Sequence, residues 1–192
     1  MLTLVLDIET NTKHDTIWCC VTQRLDTNAV QVHTSPETLR PLIQYAHLIV
    51  GHNIIGFDGP VLRNVWDVAI PVKKIQDTLV MSRLLNPVVE GGHSLRAWGQ
   101  RLGNYKDDFS DYDGGLSDEM IGYCKQDVSV TAQLYKHLVY ALSQWKKHQP
   151  SLELEHLVAV ECAKQERNGF KLDVPSAEVL QAKLQDRMSV IE

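Results

Sequence analysis

The chain opens on the apolar run Leu2-Thr3-Leu4-Val5-Leu6, which stops at Asp7. A short apolar run of this kind suits a strand covered on both faces, where both alternating sets of side chains meet apolar neighbours. The pattern predicts strands over Leu2–Asp7, Thr16–Leu25 and Ala29–His33, the last two joined as a hairpin through Asp26-Thr27-Asn28. A helix is predicted from Pro36 to about Tyr45 with Ser35 as its cap. The strand Leu48-Ile49-Val50 follows and ends at Gly51, and a loop then carries Asn53 and Asp58. Next come a helix over Pro60–Trp66, an edge segment over Val72–Asp77 and a helix over Thr78–Leu85. His93–Gly103 reads as a short helix with a glycine stop, and Asn104–Gly115 as a polar surface loop. A helix capped by Ser117 carries an apolar stripe through Leu134, Leu138 and Leu142. Pro150 is expected to separate it from an amphipathic helix running from Leu152 to about Arg167, which Asn168-Gly169 ends. A last helix begins near Pro175 and runs to Glu192, with no packing partner legible in the sequence. Strands alternating with helices after an opening hairpin predict an α/β fold with a mixed sheet flanked by helices.

Acids punctuate this pattern. Asp7 and Glu9 follow the first apolar run two residues apart, so a strand points them to the same side. Tyr123 and Asp127 stand four apart in the long helix and share a face there. Asp58 closes His52-Asn53-Ile54-Ile55-Gly56-Phe57-Asp58. Carboxylates converging from separate elements repel one another unless a cation lies among them, and hard divalent ions with oxygen ligands suit such a cluster.

Composition narrows the function classes. At 192 residues with 44% hydrophobic and 22% charged positions, the chain has the balance of an ordinary globular domain. No apolar run approaches twenty residues and no secretory signal opens the chain, so no membrane partner is expected and the setting is cytoplasmic. Cys19, Cys20, Cys124 and Cys162 lack zinc-site spacing, and adjacent Cys19 and Cys20 suit a buried strand in a reducing compartment. The net charge of −5 is the wrong sign for gripping nucleic acid by counterion release. Contact with a phosphodiester then depends on metal ions or on a partner domain.

Phosphodiester hydrolysis needs an activated water, neutralised charge and a stabilised leaving oxygen, which two carboxylate-held ions supply together. In this scheme Asp7 bridges two ions, Glu9 and Asp127 complete one, and Asp58 supports the other. Tyr123 orients the attacking water, since an ordinary phenol with a pKa of about 10 is a poor base at neutral pH. Singly, an Asp at a strand end is often a solvated cap and a lone Y-x-x-x-D is often a helix surface. Here D-x-E, N-x-x-x-F-D and Y-x-x-x-D each occur once and in the order that one fold requires.

This set resembles the DEDD superfamily of 3′–5′ exonucleases, in the branch with tyrosine in its third motif. The resemblance implies a ribonuclease H-like sheet and two Mg²⁺ or Mn²⁺ ions. It implies metal ligation by Asp7, Glu9, Asp58 and Asp127, catalysis by these four with Tyr123, and substrate binding by Thr10, Asn53 and Phe57. His93–Gly103, Tyr105–Phe109 and Ala163–Phe170 are similar to the proofreading domain of family A DNA polymerases of short-tailed bacteriophages. Glu166–Asp173 resembles the passage from exonuclease to thumb in those enzymes, and the palm and fingers have no counterpart in the chain. The implied organisation is an exonuclease domain over residues 1–150 and, over 151–192, a connecting helix and the start of a thumb region. The implied partners are a single-stranded DNA 3′ end, a polymerase portion in cis or on a separate chain, and a processivity factor. The setting becomes the cytoplasm of a bacterial host. Ribonuclease D-like RNA trimming and a non-catalytic interaction module are the rival readings.

Other polar positions are expected to be structural or ancillary. His52 reads as a supporting residue beside Asn53, and Asp107, Asp108, Asp111 and Asp113 as a solvated acidic loop. Arg96, Arg101 and Lys106 are candidates either for steadying a phosphate or for a solvated face. Trp18, Trp66, Trp98 and Met120 are expected in the core.

Overall fold

β1 (Thr3–Thr10) is the middle strand of a five-stranded sheet ordered β3-β2-β1-β4-β5 in the computed structural model, which describes residues 1–105, 108–146 and 148–191. The hairpin of β2 (Ile17–Arg24) and β3 (Val30–His33) lies antiparallel on one side. On the other, β4 (Leu48–Gly51) and β5 (Ile75–Asp77) run parallel to β1. The sheet is mixed, as the early hairpin predicts.

Both faces are covered, which explains the unbroken apolar run of β1. Leu4, Leu6 and Ile8 join Ile49 and Ile75 beneath α1 (Pro36–Tyr45) and α2 (Asp58–Trp66), meeting Leu39, Ile43 and Leu62. Val5, Cys19, Val21 and Val50 face the opposite way onto α5 (Asp118–Ser143), against Cys124, Val128 and Ala132. Val130, Leu134, Leu138 and Leu142 of α5 continue this layer over α3 (Thr78–Leu85), α4 (Leu95–Leu102) and Leu152 of α6 (His148–Asn168). Each such leucine contributes roughly 1.5–3 kcal/mol by its burial. Trp66, Trp98 and Met120 are buried as expected.

The structure corrects several boundaries. α2 begins at Asp58 rather than Pro60, which puts the acid in the first helical turn, where the helix dipole favours negative charge. α6 begins at His148 and carries Pro150 inside its first turn, so this proline does not separate helices. The first amides of a helix have no intrahelical acceptor, and a proline there removes no bond. Ser35 stands at the start of α1 without a capping bond, whereas the hydroxyls of Ser94 and Ser117 accept from the amides of Ala97 and Met120. α7 (Val174–Ser189) has no buried residue, and the expected helix end at Glu192 lies outside the described residues. Among the described residues no helix is long and apolar enough to cross a membrane.

One irregularity matters for the site. Glu9 pairs with Cys19 but Thr10 pairs with Ile17, so Trp18 is an extra residue in β2 and forms a bulge beside the end of β1.

Candidate active site

The end of β1, the start of α2 and the first turns of α5 enclose a cleft of about 430 Å³. The carboxylates of Asp7, Glu9, Asp58 and Asp127 line it together with Tyr123, and so do Thr10, Asn53 and Phe57. Asp7 and Glu9 lie on the α5 side of β1, the side of Val5, because strand residues two apart share a face. Glu9 is 6% exposed, Asp58 3% and Asp127 4%, while Asp7 and Tyr123 are half-buried.

Cys124 joins this cluster, a neighbour that sequence reasoning missed. Its sulfur and carboxylate oxygens of Asp7 and Glu9 all lie within 4.8 Å of one another. The thiol donates to Oδ2 and to the backbone oxygen of Asp7, both at 3.5 Å. Burial first, then contact with Cys19 and the nearby carboxylates, pushes the Cys124 thiol well up. It therefore serves as a neutral donor. Its position three residues before Asp127 was the available signal, since that spacing shares a helix face.

The loop between β4 and α2 is held from behind. Asp77, 1% exposed, accepts from the amides of Asn53 at 2.9 Å, Ile55 at 3.1 Å and Leu79 at 2.9 Å. Asn53 takes a left-handed φ of 62°, which asparagine tolerates better than most residues. The Asp77 amide donates to Nε2 of His156 at 2.8 Å, and Nδ1–H of that ring donates to the Leu152 carbonyl at 2.8 Å. His52 bonds Thr78 Oγ1 at 2.9 Å through Nδ1, that hydroxyl donates to the Gly51 carbonyl, and His52 lines the cleft beside Asn53. Neither Asp77 nor His156 stands out in the sequence, because their partners are distant in the chain.

Several ancillary cations are engaged elsewhere. Arg96 forms an ion pair with Asp108 at 2.5 Å. Arg101 donates to the carbonyls of Glu90 and Gly92 and stacks over Trp98 at 4.7 Å. Neither lines the cleft. Lys106 and Asp107 lie outside the described residues. The acidic loop is also more than a solvated tract: beside Asp108, Asp111 accepts from the Gly114 amide and Asp113 from Thr12.

Burial raises the Asp58 carboxyl to about 7, with the Asp77 and Asp127 carboxylates adding to the shift, while amide bonds from Asp58 itself and Ile8 oppose it. An all-oxygen set of crowded, largely buried acids fits a hard divalent cation. The Asp58 shift has a consequence for the protein without metal. Unfolded aspartate titrates near 3.9, so between about pH 4 and 7 the folded chain holds a proton that the unfolded chain has lost. Stability should then fall as pH rises through this window, by at most about 1.4 kcal/mol per pH unit for one proton. Melting in EDTA is expected at a lower temperature at pH 8 than at pH 5, with Mg²⁺ recovering the loss at pH 8. A melting temperature that rises with pH in EDTA contradicts this.

A family model described as 3′–5′ exonuclease matches residues 8–143. The chain is 31% identical to the DNA-directed DNA polymerase of Escherichia phage T7 and 30% identical to that of Enterobacteria phage T3. Each match covers 80% of this chain, which spans about 30% of the length of these curated relatives. Among solved structures, NrnC of Brucella melitensis with bound Mg²⁺ matches with a TM-score of 0.68 over 87% of this chain and 86% of that one. The identity there is 18%, so the likeness is one of fold, the ribonuclease H-like α/β fold expected.

Proposed function

The chain belongs to the 3′–5′ exonuclease family, and on that premise we propose that it removes nucleotides from single-stranded or frayed DNA 3′ ends as a proofreading activity. The products are deoxynucleoside 5′-monophosphates. The observation that carries this reading is the convergence of four carboxylates and a phenol, from three separate elements, in one cleft. The likeness to two phage DNA polymerases supports DNA as the substrate.

Asp7, Glu9, Asp58 and Asp127 would hold two divalent ions, Mg²⁺ or Mn²⁺; when bound, these supply an acidified water and neutralise charge at the phosphate and leaving oxygen. The remaining work falls to the chain itself. Tyr123, half-buried at the lip of α5, orients the attacking water through its phenol. Asn53 and Phe57 hold the terminal nucleotide, and Thr10 borders it at the end of β1. Cys124 steadies the Asp7 carboxylate by its thiol bond. Residues 1–150 act as the exonuclease domain, and 151–192 lead toward a polymerase thumb, in cis or against a separate chain. A processivity factor is a further partner, and the setting is the cytoplasm of a bacterial host.

A digestion assay with Mg²⁺ tests the reading. A 5′-labelled DNA single strand should shorten as a ladder, a 3′-phosphate-blocked strand should resist, and the matched RNA should turn over more slowly. Internal cuts count against 3′-end attack. Faster turnover of RNA than DNA favours RNA trimming instead.

A further inference from the structure

Residues 108–115, between α4 and α5, return to the cleft and are fastened to the β1–β2 side at two points. Thr12, in the turn after β1, gives its amide to Asp113 Oδ1 at 3.0 Å and its hydroxyl to Oδ2 at 2.9 Å. These bonds hold the Asp113 carboxyl below the usual range, and thus ionised. The Trp18 indole N–H donates to the Tyr112 carbonyl at 2.8 Å. Trp18 is the bulge residue of β2 and is half-buried rather than in the core. A bulge re-aims a side chain, and this one is aimed at the returning segment.

Phe109 stands between these fastenings and α5. Its ring lies 5.5 Å from that of Tyr123 at 35°, and 5.2 Å from that of Tyr112 at 86°. Tyr112 and Tyr123 both line the cleft. A half-buried tyrosine on a helix has more than one staggered χ1 well to choose from. A ring packed beside it removes some of those choices, and Phe109 is itself held between Asp108, paired to Arg96, and residues 112 and 113, tied to the β1–β2 side.

We propose that Phe109 is a positioning residue acting through Tyr123, that it keeps the phenol directed into the cleft, and that the Thr12–Asp113 and Trp18–Tyr112 bonds hold Phe109 in place. This rests on the reading of Tyr123 as the water-orienting group.

The test compares Phe109→Ala, Phe109→Tyr, Trp18→Phe, Tyr123→Phe and the Phe109→Ala/Tyr123→Phe pair in the full chain. Single-turnover rates are measured at saturating single-stranded DNA with Mg²⁺, and DNA affinity with Ca²⁺. Tyr123→Phe should slow hydrolysis by about 10²–10⁴-fold, as for a positioned proton-handling group. Phe109→Ala should slow it on the order of 10-fold without changing DNA affinity, since the loss is confined to orientation. Phe109→Tyr should recover most of the rate, and Trp18→Phe should show a smaller loss. Phe109→Ala should add nothing in the Tyr123→Phe background, because residues acting as one unit are not additive. A parental rate in Phe109→Ala, a full extra loss in the double variant, or a loss of DNA affinity alone overturns the proposal.

A second readout does not depend on turnover. A ¹⁹F resonance from fluorotyrosine at position 123 should move toward its solvent-averaged position in Phe109→Ala, and an unmoved resonance overturns the tether. A parental chain inactive on DNA 3′ ends sinks the proposed function, while this resonance still decides whether Phe109 holds the ring.

Discussion

Asp7→Ala is expected to lower the single-turnover rate on DNA 3′ ends by about 10³-fold or more, the deepest loss of any single side chain in the cleft. Asp7 sits within the central strand, its carboxylate within 4.8 Å of that of Glu9, and lines the same cleft as Asp58 and Asp127. In the proposed two-ion scheme it is the acid that would bridge both ions. EDTA should have the same effect on the parental chain, Mg²⁺ or Mn²⁺ should reverse it, and Ca²⁺ should support DNA binding without turnover. The stability readout has the opposite sign. Removing one of several crowded acids relieves repulsion, so the metal-free variant should melt no lower than its parent. The rise in melting temperature that Mg²⁺ gives the parent should shrink, because a ligand stabilises only the state that binds it. Retained activity in Asp7→Ala, or activity indifferent to EDTA, removes the carboxylate cluster from the mechanism.

Asp77→Ala should be the most destabilising substitution near the cleft, costing about 3–5 kcal/mol. Three backbone amides, those of Asn53, Ile55 and Leu79, lose a buried acceptor at once. Native stabilities of about 5–15 kcal/mol make this a large share. Asp77→Asn preserves the shape but offers one acceptor oxygen in place of two. It should fold with a smaller loss and show a raised KM for DNA, since Asn53 depends on Asp77 for its placement. Urea unfolding and steady-state kinetics check both variants. Unchanged stability in Asp77→Ala would mean that water replaces the carboxylate and that the loop stands without it.

The acid pair of β1 was legible because strand geometry repeats every two residues, and Tyr123 with Asp127 because a helix brings residues four apart together. Asp58 was legible as the end of a motif, though not as the first turn of α2. What the sequence hid were pairings across the fold. Asp77 reads locally as a residue before a helix, and only the fold brings it the amides of residues 53 and 55 and the ring of His156. Asp113 and Trp18 look like a solvated acid and a core tryptophan until the returning segment lies against the β1–β2 turn. Pro150 misled for the opposite reason. A proline in a helix interior removes a hydrogen bond and tends to break the helix, and only the position of the helix start reveals that this one costs none.

The metal-ligating candidates come from the first strand, from α2 and from α5, and most of the domain lies between the first and last of these in the chain. Joining such distant points costs an unfolded chain about 4 kcal/mol in loop-closure entropy for a loop on the order of a hundred residues. A cation held between Asp7 and Asp127 would therefore act as a reversible cross-link, closing the same long loop that a disulfide would close permanently. Such a cross-link exists only while α5 lies on the sheet. The acids proposed to cut DNA would then also fasten the domain shut, and ion supply would govern both its chemistry and its lifetime.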